Sequence, residues 1–402
     1  MENIMNLRLK VILPLPYNGR GPGYTCGVLL NKMIAEGDDI TIFLPSARIP
    51  LHPAIKVVES LPIKSRLLPF RLLGPYAIRR SEAMTVSAVR RSAGAPQCVY
   101  LWPNTSISAM RALKAADCIV IREMINCHRG MAKPILDDAY GKIGVRPNHT
   151  ITDASIRQEN EVLSLVDFAF CPNANVEASL LQNGSPASKI LPTSYGWDPA
   201  RILGEHRSLA PAEGPTFLFV GLICVRKGAH LLLQYWARSG IRGRLVLAGN
   251  MEPIIAQKYS DLLNRPDVTV LPHEKDIGAL YRSADVFVFP SLEEGGPQVT
   301  YEACGSGLPA IVSPMGAGRI VKDGVAGYVV DPYDADAWIA ALRALAGSTE
   351  LRRSMGEAGR LAAKDFVWEE VATGRRRQML QCLSSRNARD SDKVAPISAA
   401  SR

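Results

Sequence analysis

The sequence contains no C-x-x-C pair and no cysteine–histidine spacing that would suit zinc. Its eight cysteines, Cys26, Cys98, Cys118, Cys127, Cys171, Cys224, Cys304 and Cys382, are scattered. Most sit in apolar runs and read as small buried hydrophobes of a reducing compartment. No run approaches the roughly 18 apolar residues that a bilayer-spanning helix needs. No Gly-Lys-Ser/Thr closes a glycine loop, so a Walker A site is excluded. No secretory leader is expected, because Met1 to Asn6 lead straight into an apolar strand. The expected location is cytoplasmic. The net charge of +9, from 47 basic and 38 acidic residues, comes with no nucleic-acid motif. It suits an anionic ligand or an anionic membrane surface better than a nucleic acid.

What is present is an α/β pattern, twice. The chain has 402 residues, 47% of them hydrophobic, enough for two domains with sizeable cores. Leu9 to Leu13 reads as a strand and is followed by a glycine loop that includes Gly19, Gly21 and Gly23. A helix from about Tyr24 to Ala35 and a strand from Ile40 to Leu44 complete a β-loop-α-β unit, which implies a parallel sheet. Further strands are expected at 97–101, 118–121 and 167–171. Residues 199 to 215 are rich in proline, glycine and charge and read as a linker. From Thr216 the pattern restarts, with strands at 216–220, 244–249, 268–271, 286–289 and 327–330.

The richest stretch runs from Val286 to Pro309. An apolar strand, Val286 to Phe289, meets the loop Glu293-Glu294-Gly295-Gly296. Pro297 suits a first helical position, where its missing N–H is no loss. The free N–H groups and dipole of such a helix start attract a phosphate. Glu294 stands before the helix and Glu302 stands within it, roughly 8 Å along its axis. A bare phosphate would not want two carboxylates nearby. A phosphate carrying hydroxyl-rich groups would, because carboxylates accept hydrogen bonds from hydroxyls. Upstream, Arg226 and Lys227 in a strand-to-helix loop suit a diphosphate.

The spacing Glu294-x7-Glu302, followed by Ala-Cys-Gly-Ser-Gly-Leu-Pro309, resembles the signature of the family 4 retaining glycosyltransferases. That resemblance implies a GT-B fold: two Rossmann-like doubly wound domains facing a central cleft. It implies domains at 1–198 (acceptor side) and 216–365 (nucleotide-sugar side). A terminal helix, 366–383, would cross back to the first domain; residues 384–402 are polar and read as a disordered tail. It implies transfer of a sugar from a nucleotide-sugar donor to a hydroxyl of a glycan or lipid-linked acceptor, as in bacterial surface-polysaccharide synthesis.

Residue by residue, the resemblance casts Glu294 as facing the donor sugar and Glu302 as binding the ribose. Lys227, with Arg226, would meet the diphosphate, although Leu222 stands where the family has an arginine. Gly295, Gly296 and Pro297 replace the usual Gly-Phe-Gly beside the donor. His273 lies in the turn expected to meet the base. His128, just past a strand end, is the candidate for a histidine facing the reacting sugar. No cofactor or metal is expected: Asp334-Ala335-Asp336 reads as a helix cap rather than a metal ligand pair. Residues 63 to 91 are basic and apolar together. They read either as a face resting on anionic lipid or as an amphipathic helix with a solvated basic side. A nucleotide-sugar epimerase and a catalytically inactive nucleotide-sugar-binding scaffold are the alternative functions.

Overall fold

The computed structural model describes residues 6–62, 70–92, 97–272, 274 and 276–394, with side chains to 386. Among these the chain forms two wholly parallel sheets, one in each half. The first contains β1 (Arg8–Ile12), β2 (Asp39–Leu44), β3 (Lys56–Glu59), β4 (Cys98–Leu101), β5 (Ile119–Glu123), β6 (Phe168–Cys171) and β7 (Ile190–Pro192), in the order 3-2-1-4-5-6-7. The second contains β8 (Thr216–Val220), β9 (Arg244–Ala248), β10 (Val268–Leu271), β11 (Val286–Phe289), β12 (Ala310–Val312) and β13 (Gly327–Val329), in the order 10-9-8-11-12-13. This is the α/β architecture of two Rossmann-like halves that the sequence implied. Strands β8 and β11 are buried along their whole length, as expected for strands covered on both faces.

Strand order reverses between β1 and β4 in the first sheet and between β8 and β11 in the second. Ligands of open α/β sheets bind outside the strand ends at such points.

Several boundaries differ from expectation. The first helix runs Gly21–Met33, starting three residues before Tyr24, because Pro22 fits the first helical turn. The loop after β1 is correspondingly shorter. Strand β3 was not foreseen: it is a half-exposed edge with no continuous apolar run. Asp198 caps a helical turn, Pro199–Ile202, inside the expected linker. Asp334 accepts a hydrogen bond from the Ala337 N–H at 3.0 Å and so caps the helix that follows. The last helix runs Trp368–Val394, eleven residues past Leu383, so the expected tail begins as helix.

That last helix returns to the first half. Its start is stitched to the end of the first half, where the Trp197 N–H donates to the Phe366 carbonyl (3.0 Å) and the Trp368 N–H donates to the Trp197 carbonyl (3.1 Å). Further along, the fully buried Arg375 meets the fully buried Glu123 at the end of β5, at 2.6 Å. No helix among the described residues is long and apolar enough to cross a membrane.

Candidate active site

The strand ends at the two reversal points face one another across a cavity of about 740 Å3. The second half contributes the loop after β8, which carries Leu222, Arg226 and Lys227, and the loop and helix start after β11. The first half contributes Arg20 from the loop after β1, and Ile125 and Asn126 from the loop after β5.

Lys227 and Glu294 come together here. The Lys227 ammonium lies against the Glu294 carboxylate, and Ser291 Oγ donates to the same Glu294 oxygen at 3.2 Å. Burial, then the neighbouring Arg226 guanidinium, pushes the Lys227 ammonium down to about 7, whereas the adjacent carboxylate favours the charged form. The direct contact is the shorter-range effect, and the two form an ion pair. Gly228, at φ 70°, ends this loop: a Cβ there would sit 2.1 Å from the Pro290 carbonyl oxygen. The loops after β8 and β11 therefore pack closer there than any side chain would allow.

Glu302 lies on the helix Gln298–Gly305 and lines the same cavity. It accepts from Gln298 Nε2 (2.9 Å) and Tyr281 OH (3.0 Å), with Arg201 at 4.0 Å. Burial raises its pKa against the opposing pull of Arg201. Pro297 is the N-cap of this helix, one position earlier than expected. Gly296 lines the cavity; Gly295 does not. Both serve the approach of the two halves. A Cβ on Gly295 would lie 2.0 Å from the Ile125 carbonyl oxygen, and one on Gly296 would lie 2.4 Å from the Tyr195 ring.

His128 is not in the cavity, and its casting as a catalytic group is corrected. It caps the helix Arg129–Lys142: the Gly130 N–H donates to its Nδ1 at 3.0 Å. That fixes the proton on Nε2, which donates to Asn160 Oδ1 at 2.8 Å. The ring is fully buried, and burial lowers its pKa, so it is neutral and occupied. Asn126 faces the cavity from the same loop instead. His273 lies outside the described residues, as do residues 63–69 of the basic stretch; Glu274, next to His273, lines the cavity.

Glu293 is a site residue the sequence reading did not single out. It is 2% exposed and accepts from Asn126 Nδ2 (2.9 Å) and the Cys127 N–H (3.0 Å) of the first half. It also holds Arg226, whose guanidinium lies 3.3 Å from its carboxylate. Glu252 makes a second such bridge, accepting from Tyr140 OH (2.5 Å) and Asn148 Nδ2 (2.8 Å). Arg20 and Arg201 were also missed. Arg201 stacks 5.0 Å over the Tyr24 ring. Arg20 is the cavity-lining cation with no side-chain hydrogen bond or carboxylate partner among the described residues. The cavity thus joins a cationic middle to carboxylates on either side. It can hold an elongated ligand with an anionic centre and hydroxyls at both ends.

Residues 205–362 match the family model described as glycosyl transferases group 1. A D-inositol 3-phosphate glycosyltransferase of Xylanimonas cellulosilytica is 30% identical over 199 residues, covering 47% of this chain and 48% of that protein. The capsular polysaccharide biosynthesis glycosyltransferase CapM of Staphylococcus aureus is 30% identical over 165 residues, covering 38% of this chain and 43% of CapM. The chain thus matches about half the length of these curated relatives. Among solved structures, sucrose-phosphate synthase from Thermosynechococcus elongatus superposes with a TM-score of 0.72 at 19% identity, covering 94% of this chain and 100% of that one. Anabaena HepE in complex with UDP superposes with a TM-score of 0.64 at 16% identity, covering 94% and 100%. At such identities the likeness establishes the fold. The match to the group 1 glycosyl transferases is confined to residues 205–362, and the chain as a whole has the GT-B fold.

Proposed function

We propose that the protein transfers a sugar from a nucleoside-diphosphate sugar to a hydroxyl acceptor, with the anomeric configuration retained. The observation that carries this is the convergence of Lys227, Glu294 and Glu302 on one cavity at the reversal points of both sheets. The match of residues 205–362 to the group 1 glycosyl transferase model supports it. Lys227 and the helix start at Pro297 face the diphosphate and stabilise the charge that grows as the sugar departs. Glu294 orients the sugar, and the incoming diphosphate takes over its place beside Lys227. The leaving phosphate oxygen takes the acceptor proton, so a glycosidase-like pair of carboxylates is not needed. A divalent metal is not required on this reading, and activity is expected to persist in EDTA. The relationship to CapM supports an acceptor among bacterial surface-polysaccharide or lipid-linked glycans.

Glu302 receives two protein hydrogen bonds and keeps lone pairs for the ribose hydroxyls. A hydrogen bond to a charged group contributes about 1.5–3 kcal/mol. Glu302→Ala is therefore expected to weaken nucleoside-diphosphate binding about 10- to 100-fold. Calorimetric titration with UDP, GDP and ADP measures this. Unchanged affinity for whichever nucleotide the wild type binds would remove Glu302 from the ribose site.

A diphosphate needs more than one cation. Arg226 is held by Glu293, and Leu222 supplies no charge. Arg20, unpaired and across the cavity, provides the second cation on this reading. Arg20→Ala should weaken the same titration about tenfold, as for one lost charge-assisted contact. Leu222→Arg in that background should recover most of the loss. Wild-type affinity in R20A would show that Arg20 plays no part.

A further inference from the structure

We propose that the outward face of the helix Phe70–Arg91 is a docking surface for an anionic lipid bilayer. The helix has 22 residues and so extends about 33 Å. Its inner face buries Ala77, Ser81, Thr85 and Val89 against β1, β2 and the helix Ile107–Ala115. Its outward face is basic. Arg71, Arg79, Arg80, Arg90 and Arg91 are all exposed. Between them stand two large apolar side chains, Leu72 at 66% and Tyr76 at 57% exposure.

Among the described residues this face has no internal neutralisation. The helix carries one carboxylate, Glu82, which is buried and turned toward the N–H and hydroxyl of Ser106, at 2.6 and 2.7 Å. Among the described residues none of the five arginines pairs with a carboxylate. Arg80 reaches only Tyr76 OH (3.2 Å) and Arg91 only Ser87 Oγ (2.6 Å). Several other helical cations are matched, as Arg111 is by Glu161, Lys133 by Asp137 and Arg360 by Glu357. A strip of unmatched arginines beside exposed leucine and tyrosine complements a planar anionic surface with an apolar interior. The guanidinium groups meet the headgroups while Leu72 and the Tyr76 ring enter the boundary layer. The strip lies along a convex helix, not a groove, so it offers a flat interface rather than a cradle for a single chain.

Each arginine near an anionic membrane surface contributes about 1 kcal/mol, or about fivefold in partitioning. Full-length protein is to be sedimented with vesicles of phosphatidylcholine alone and with vesicles containing about one-third phosphatidylglycerol. The proposal expects binding to the second kind only, weakened by salt. It expects Arg79→Gln with Arg90→Gln to reduce that binding about 25-fold, and Leu72→Ser with Tyr76→Ser to reduce it about tenfold. Thermal melts of both variants should match the wild type, since these side chains are exposed. Equal sedimentation with both vesicle types would overturn the proposal. So would undiminished binding by R79Q/R90Q, or arginine-dependent binding to a nucleic acid or acidic protein but not to phosphatidylglycerol.

Discussion

Glu123→Ala is expected to lower stability by about 3–5 kcal/mol, the usual cost of removing one partner of a buried ion pair. Glu123 and Arg375 are both fully buried, and they meet in a two-point contact at 2.6 and 3.2 Å. Tyr100 OH donates to the same carboxylate at 2.5 Å, and Arg375 also donates to the Ser194 carbonyl at 3.0 Å. Removing Glu123 leaves a guanidinium in the core with a phenol and one carbonyl as its remaining partners. The effect reaches beyond β5, because Arg375 belongs to the helix that returns from the second half. Denaturant melts measure the loss, and limited proteolysis should show the last helix released first. Replacing both partners together, Glu123→Met with Arg375→Met, should recover most of the stability, because no unpaired charge then remains. A loss under about 1 kcal/mol for Glu123→Ala would contradict the pairing.

Lys227→Ala is expected to lower kcat by about 10²–10³-fold, the range seen when one preorganised donor to a developing charge is removed. The ammonium sits beside Glu294 in the loop after β8, and in the proposed reaction charge accumulates there only as the sugar leaves. Its contribution should therefore be larger in the transition state than in the bound donor. Steady-state kinetics separate the two cases. A fall in kcat with a small change in KM fits this role, whereas a rise in KM with kcat unchanged would mean that Lys227 binds donor and transition state alike.

The parts of this site legible in the sequence are those written locally. The strand Val286 to Phe289, its glycine loop and the Glu294–Glu302 spacing lie within one short segment, and Lys227 directly precedes a glycine that opens a helix. Hence Lys227, Glu294 and Glu302 were legible as one site. The rest depends on which way a side chain turns. His128 follows a strand end, where ligands gather, but its Nδ1 is taken by the N–H of Gly130. Histidine is not among the usual N-caps, so nothing in the sequence marked it as one. Glu293 and Glu294 are adjacent, and only the fold shows that one clasps Asn126 while the other meets Lys227. Arg20 and Arg201 lie far from the second-half motifs in sequence and reach the cavity because the two halves face each other. The extension of the last helix past Leu383 was missed because its composition there is polar; the described part is moored to the first half through Arg386 and Asp117.

The central claim is that the cavity between the halves activates a nucleoside-diphosphate sugar. The most direct test is to measure release of free nucleoside diphosphate from UDP-, GDP- and ADP-sugars in the presence of EDTA, with anionic vesicles and a panel of glycan and lipid-linked acceptors, using wild type and Lys227→Ala in parallel. The account predicts release from one donor class by the wild type, dependent on acceptor, and a loss of about 10²–10³-fold in the variant. Tight binding of a donor with no release under any of these conditions would contradict it and leave a protein that only holds nucleotide sugars.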